Sequence, residues 1–252
     1  MKLVENLPFQ TDSGIANKAS IGLIVLATDY TIEYEWQQVF KNIDGVALYH
    51  SRIYNENEVT PETLRAMAPQ IADCAKRLTP GTPVDVIAYG CTSATMAIGE
   101  QPVFDSIKSE KPEALCTTPI TAVLKAMDAF KAKRIAVLTP YSASVNKIVA
   151  AYIEDRGFEV PIFGSFNEGL DSTVARITLE SVEAGLIAIV EQADVDAAFI
   201  SCTSVRAMDI IKPLEEKLGI PITSSNHAMA WDALRLAGIK DKMPQFGSLY
   251  TL

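Results

Sequence analysis

Histidine is almost absent from this chain: His50 and His227 are the only two in 252 residues, and neither stands in an HExxH pattern. A His-rich metal site or a Ser-His triad would have to be assembled around one of them, and neither chemistry is expected. Cysteine is scarce as well. Cys74, Cys91, Cys116 and Cys202 show no CxxC spacing, so neither a disulfide framework nor a zinc ribbon is indicated, and reduced thiols fit a cytoplasmic location. Basic residues are outnumbered, 22 Lys and Arg against 31 Asp and Glu, for a net charge of −9. Without clustered Lys and Arg a nucleic-acid partner is excluded. Long apolar runs are missing too. The longest, Ile21 to Ala27, is far too short to span a bilayer, and the first eight residues lack the apolar stretch of a signal peptide, so no membrane partner is expected.

What remains is ordinary for a globular chain with a sizeable core, 48% hydrophobic and 21% charged residues. Against that background two short stretches are singular. Gly90-Cys91-Thr92-Ser93 and Ser201-Cys202-Thr203-Ser204 each close an apolar run opened by an acid, Asp85 or Asp196, six residues before the cysteine. Such runs read as buried strands, and Thr-Ser before residues of good helix propensity reads as a helix start. Both cysteines are therefore predicted at strand-to-helix corners, where an open α/β sheet exposes its chemistry.

Strand and helix patterns alternate along the whole chain after a polar arm of about 19 residues. Strands are predicted at 21–26, 45–49, 84–89, 134–139, 159–162 and 195–200, with short strands that run into loops within 115–119 and 222–226. Helices are predicted over 32–40, 60–78, 120–131, 144–156, 174–192 and 227–237, with a further helix after each cysteine. The fold class is α/β, with parallel sheets flanked by helices. The pattern also occurs twice: Asp29 falls on Tyr141 and Asn55 on Asn167, each 112 residues on, and Cys91 on Cys202, 111 residues on. Three matches in register predict an internal duplication and two pseudo-symmetric lobes facing each other across a cleft. The first lobe is expected to take residues 1–117 and 224–252, the second 118–223.

A thiol at a helix start has its thiolate favoured by the helix dipole and by free backbone N–H groups, which lowers its pKa toward neutrality. Two thiols on opposite walls suit one task in particular. A planar carbanion formed by removing a proton from one face is reprotonated from the other, inverting a stereocentre without a cofactor or a metal. Thr92, Ser93, Thr203 and Ser204 offer donors for a substrate carboxylate. Cys74, mid-helix on an apolar face, and Cys116, without a matching partner, read as packing residues. Asp29 is also placed to cap the helix that follows it, Asn55 to shape a turn, and Ser225 and Asn226 to form a loop and helix cap.

The two Cys-Thr-Ser loops, Thr117-Thr118-Pro119, the Tyr141 loop, Phe166-Asn167 and Ser224-Ser225-Asn226 together resemble the aspartate/glutamate racemase superfamily. Within it they are similar to the branch that holds maleate cis-trans isomerases, arylmalonate decarboxylases and racemase-like ectoine-utilisation proteins. The resemblance covers nearly the whole chain from Ile21. It implies Cys91 and Cys202 as the catalytic pair, Tyr141 and Asn167 as carboxylate ligands, a small carboxylate-bearing substrate and a homodimer. Arylmalonate decarboxylases keep only the second cysteine, so Cys91 argues against that activity. Where maleate isomerases carry an Asn in the first loop, this chain has Asp29, whose charge repels a second carboxylate and attracts an ammonium. The resemblance thus implies racemisation of an amino acid or N-substituted amino acid, with Asp29 reading the substituent and a diaminobutyrate-type compound as the ectoine-linked case. A maleate-type isomerase acting by covalent thiolate addition, and a two-lobed binding protein without chemistry, remain the alternatives.

Overall fold

The computed structural model describes residues 1–252. Residues 1–18 form no helix or strand and lie exposed along the surface. The first half then runs β1 (Ala19–Leu26), α1 (Ile32–Phe40), β2 (Val46–Ile53), α2 (Pro61–Arg65), α3 (Ile71–Arg77), β3 (Val86–Gly90), α4 (Thr92–Ile98), α5 (Glu100–Glu110) and β4 (Leu115–Thr117). The second half follows with α6 (Pro119–Phe130), β5 (Arg134–Thr139), α7 (Ala143–Glu154), β6 (Glu159–Ser165), α8 (Asp171–Val174), α9 (Leu179–Val190), β7 (Ala197–Ile200), α10 (Met208–Leu218), β8 (Ile222–Ser224) and α11 (Ser225–Leu236).

The duplication is plain in the topology. One sheet has the order β2-β1-β3-β4 and the other β6-β5-β7-β8, all pairs parallel. β3 and β7 are buried along their whole length, as central strands covered by helices on both faces must be. The acids that open the cysteine strands have a structural task. Asp85 Oδ2 accepts the Ser20 N–H at 2.7 Å and its hydroxyl at 2.8 Å, while Asp196 Oδ2 accepts the Lys133 and Arg134 N–H groups at 2.7 and 2.8 Å. Each ties the start of the cysteine strand to the start of its neighbour, at the end of the sheet away from the thiols.

The helix that follows the fourth strand of each sheet crosses over. α6 leaves β4 and packs on β7 and β8, whereas α11 leaves β8 and packs on β3, β4 and α1; the two helices also lie against each other. This crossing is the basis on which we propose lobe boundaries at 117/118 and 223/224.

Several helices differ from the sequence expectation. The helix predicted over 60–78 is broken into α2, a short 3-10 turn at Ala68–Gln70 and α3, because Pro69 inside it removes an N–H and clashes with the preceding turn. The helix predicted over 174–192 begins later, as α9 at Leu179, after the separate short α8 that ends at Val174. Two helices rather than one follow Cys91: α5 comes after α4 and is separated from it by Gly99 at φ 102°. The second cysteine is not at a helix start. The chain loops from Ser201 to Ala207 before α10 begins at Met208, and Cys202 itself has φ 100°, a backbone conformation costly for a residue with a side chain.

Gly90, the residue before Cys91, lies against the neighbouring strand so closely that a Cβ would meet the Ile24 carbonyl oxygen at 3.0 Å and Ile32 Cδ1 at 3.1 Å. A backbone atom cannot step aside as a side chain can. Gly90→Ala is expected to destabilise the fold by about 1–3 kcal/mol, as overpacking does, read as a lower midpoint in urea unfolding with an unchanged slope.

Candidate active site

The carboxyl ends of the two sheets face each other, and the loops at those ends enclose a cavity of about 20 Å³, room for one water. Its wall includes Cys91, Thr92 and Ser93 from one lobe and Tyr141, Asp171, Cys202 and Thr203 from the other. Six of the nine residues expected from the sequence therefore meet at one place. Cys91 is 3% exposed and Cys202 7%.

Cys91 is the N-cap of α4: the Ala94 N–H donates to its Sγ at 3.4 Å, and the Ser93 hydroxyl lies 3.9 Å away. These contacts favour the thiolate, but burial outweighs them and pushes the thiol up to about 12. Burial pushes Cys202 up as well, reinforced by the charge of Asp171 and opposed by the Tyr141 hydroxyl and the Ser204 N–H. Burial thus opposes the near-neutral thiol pKa values expected from the sequence, because desolvation of a thiolate costs more than a single N–H donor and a helix terminus return. The Tyr141 hydroxyl faces both thiols and Ser93, and burial keeps it protonated.

The loop that carries Cys202 is held from the other lobe. Its N–H donates to Ser225 Oγ at 3.0 Å, and Ser225 Oγ lies 2.8 Å from the Thr92 hydroxyl, so one serine joins the two cysteine loops. The Thr31 hydroxyl donates to the Ser204 carbonyl at 2.7 Å, and Asn226 Nδ2 to the Thr203 carbonyl at 2.8 Å. Glu35 completes the brace. Its Oε1 accepts the N–H groups of Ala207 and Met208 at 2.7 and 2.9 Å, and its Oε2 accepts Asn226 Nδ2 at 2.7 Å. This carboxylate of α1 is the missing cap of α10, yet burial dominates and raises it to about 7.

Three expected residues stand behind the wall. Asp29 Oδ1 accepts the Thr31 and Ile32 N–H groups at 2.7 and 2.9 Å, capping α1, while Oδ2 is buried without a hydrogen bond. Burial raises it to about 6. Ser204 is buried with its hydroxyl toward Asp171. Asn167 is exposed at φ 52°. Its N–H donates to Ser165 Oγ at 3.0 Å, and that hydroxyl donates to the Tyr141 carbonyl at 2.6 Å, so Asn167 shapes the loop that presents Tyr141.

The matching Asn55, read as a turn residue, is the one in the wall. Its Nδ2 donates to Thr28 Oγ1 at 2.7 Å and its Oδ1 accepts the Thr28 N–H at 3.2 Å. Thr28 Oγ1 donates in turn to Asp171 Oδ2. Asp171 and the strap formed by Glu56, Glu58, Val59, Thr63, Leu64 and Met67 went unnoticed in the sequence, where Gly169-Leu170-Asp171 shows only a turn and helix cap. The strap is tied across the cleft by the antiparallel bridge Glu58–Leu170, by Val59 N–H to the Gly169 carbonyl at 3.1 Å and by Asp171 N–H to the Asn57 carbonyl at 3.2 Å. With the strap in this position the cavity admits nothing larger than a water.

Neither histidine belongs to the site. His227 is buried between the Thr223 hydroxyl at 2.8 Å and the Phe246 carbonyl at 2.7 Å, and burial lowers it to about 4; His50 lies at the surface. No three His, Cys, Asp or Glu side chains converge as a metal site needs, and no helix is long and apolar enough to cross a membrane.

Paired α/β lobes that each bring a cysteine loop to one cavity, in a chain whose relatives include maleate isomerases, indicate an isomerase. The chain belongs to the arylmalonate decarboxylase family, whose sequence profile matches residues 21–250. Among its relatives are a maleate isomerase of Nocardia farcinica, 28% identical over 91% of this chain and 94% of that one, and the arylmalonate decarboxylase of Bordetella bronchiseptica, 31% identical over 76% of this chain and 81% of that one. The fold also matches a solved Nocardia farcinica maleate cis-trans isomerase, a cysteine-to-serine mutant holding a covalently bound succinylcysteine intermediate. The TM-score is 0.85 at 25% identity, covering 92% of this chain and 98% of that one.

The Glu35 brace makes stability depend on pH. Its folded pKa, about 7, lies above the ordinary 4.5, so the stability it contributes is full below about pH 4 and is lost as pH rises through 7. Wild type minus Glu35→Gln, measured by urea unfolding across that window, is expected to fall by on the order of 3 kcal/mol. The difference isolates Glu35 from His227, whose lowered pKa acts in the opposite direction.

Proposed function

We propose that the chain is a cofactor-independent racemase or isomerase acting at a carbon next to a carboxylate, on an amino acid or N-substituted amino acid. The observation that carries this reading is that Cys91 and Cys202 reach one cavity from different lobes, with the Tyr141 hydroxyl facing both. One cysteine, as thiolate, takes the Cα proton; the electron pair passes to the carboxylate as an enediolate; the opposing thiol gives its proton to the other face of the carbon. The centre is inverted and the two sulfurs have exchanged protonation states, ready for the reverse turnover.

Thr92, Ser93, Thr203 and Tyr141 hold the carboxylate oxygens, whose charge grows in the transition state. Ser204, Asn167 and Asp29 act from behind the wall by fixing these groups. The wall contains no Lys, Arg or His, which suits one substrate carboxylate better than two. The Leu26-Ala27-Thr28-Asp29 loop, similar to that of ectoine-utilisation proteins, supports a diaminobutyrate-type substrate.

A second reading, cis-trans isomerisation of maleate, is favoured by the relatives named for it and by the succinylcysteine in one of their structures. There one thiolate adds to the double bond, the bond rotates as a single bond, and the thiolate leaves.

Proton NMR in heavy water separates the readings with amino acids, N-acyl amino acids, diaminobutyrate derivatives and maleate. Loss of the Cα–H signal with appearance of the opposite enantiomer is the expected outcome; fumarate from maleate, with a succinyl adduct on one cysteine by mass spectrometry, would establish the second. Cys91→Ser and Cys202→Ser are each expected to abolish racemisation while the unfolding free energy measured in urea changes by less than about 1 kcal/mol. Full racemisation by either variant would refute the two-base assignment.

A further inference from the structure

We propose that Asp171 is the specificity-determining residue of this site, taking the substrate's ammonium group and so selecting amino-bearing acids over dicarboxylates. The proposal deepens the isomerase reading and rests on it for the orientation of the substrate.

Asp171 is 2% exposed and lies in the cavity wall, where it is the only carboxylate that is buried. Glu56 and Glu58 also line the wall, but they sit at the solvent rim of the strap. Its two oxygens are treated differently. Oδ2 accepts the Thr28 hydroxyl, whose position is fixed in turn by Asn55. Oδ1 accepts no completed hydrogen bond: the buried Ser204 hydroxyl is turned toward the carboxylate but completes none, and the residue lines the cavity. No Lys, Arg or His in the wall offers it a counter-charge. A carboxylate kept dry, held by one oxygen and left free at the other is an incomplete ion pair. The partner it lacks is a small cation brought by the ligand.

The same geometry connects binding to chemistry. The Asp171 charge acts on both Cys91 and Cys202, disfavouring their thiolates. An ammonium seated on Oδ1 offsets that charge with the substrate already in place, so the thiolate becomes accessible when there is a Cα–H to attack. A dicarboxylate adds negative charge beside Asp171 instead and makes the thiolate harder to form. Asp29, to which the sequence had pointed for this task, turns one oxygen to the start of α1 and keeps the other enclosed. The α8 N-terminus where Asp171 stands is tied to the strap across the cleft by the Asp171 N–H on the Asn57 carbonyl.

Ligand-induced shifts of the thermal midpoint test this with pairs that differ only in the amino group: aspartate against succinate, and 2-aminobutyrate against butyrate. The intact wild-type chain is expected to be stabilised by the amino member of each pair at concentrations at least about tenfold below its partner, as a charge-assisted contact in a dry site implies. In Asp171→Asn that preference is expected to vanish or reverse. Asp171→Ser, which removes the charge without an amide, provides the same reading should the Asn variant unfold.

An unchanged preference in the neutral variants, a wild-type preference for the deaminated members, or no shift by either amino acid would overturn the proposal. The binding readout does not depend on turnover. Amino preference without racemisation leaves Asp171 standing and removes the racemase reading; racemisation with the preference unaltered in Asp171→Asn does the reverse.

Discussion

A carboxyl group from α1, Glu35, stands where α10 begins, and it accepts the two backbone N–H groups that this helix has no other means of satisfying. The active-site loop of the second lobe depends on that contact. Cys202 holds a left-handed backbone at φ 100°, a conformation maintained only where the surroundings over-determine it. Here they do: Glu35 fixes the end of the loop, Asn226 and Thr31 fix its carbonyls, and Ser225 fixes the Cys202 N–H. Every one of these groups belongs to the first half of the chain or to the helix that crosses over to it. The geometry of one thiol is thus set by the lobe that carries the other.

The two sulfurs are twins by sequence and unequal by environment. Cys91 caps a helix and accepts an N–H, whereas Cys202 sits in an irregular loop beside Tyr141 and Asp171. A reaction that inverts a stereocentre needs opposed groups but does not need identical ones. Burial opposes ionisation of both thiols, and the thiolate is the reactive form. Activation then has to arrive with the ligand, through displacement of water and through whatever charge the ligand carries.

Much of this was legible in the sequence because it is local. Buried strands declare themselves by short apolar runs, and the Cys-Thr-Ser repeat at a constant offset gave both the duplication and the meeting of two cysteines. The misreadings share a physical origin in long-range contact. Nothing near Cys202 announces that its helix starts five residues late, because the cap that decides it is Glu35. Asn55 and Asn167 have similar neighbours, Tyr54 and Glu56 against Phe166 and Glu168, yet one lines the cavity and the other faces solvent. The difference comes from Thr28, which takes both ends of the Asn55 amide, while its counterpart Pro140 has neither a hydroxyl nor an N–H to offer. Asp171 could not be told from an ordinary helix cap without knowing that the strap opposite would enclose it.

The crossing of α6 and α11 bears on how such a chain could arise. A half-length ancestor, β-strands in the order 2-1-3-4 followed by one helix, has no surface of its own on which to seat that helix. Two copies would solve the problem by exchanging helices, and the exchange brings the loops after their third strands together. The two-fold axis of that dimer would run through the cavity, giving a symmetric site with two equivalent thiols. Fusion of the copies removes the requirement for symmetry, and from that moment the halves are free to diverge: one cysteine onto a helix cap, the other into a braced loop, and an aspartate on one side only. The asymmetry needed to tell one end of a substrate from the other is the inheritance of joining two equal partners into a single polypeptide.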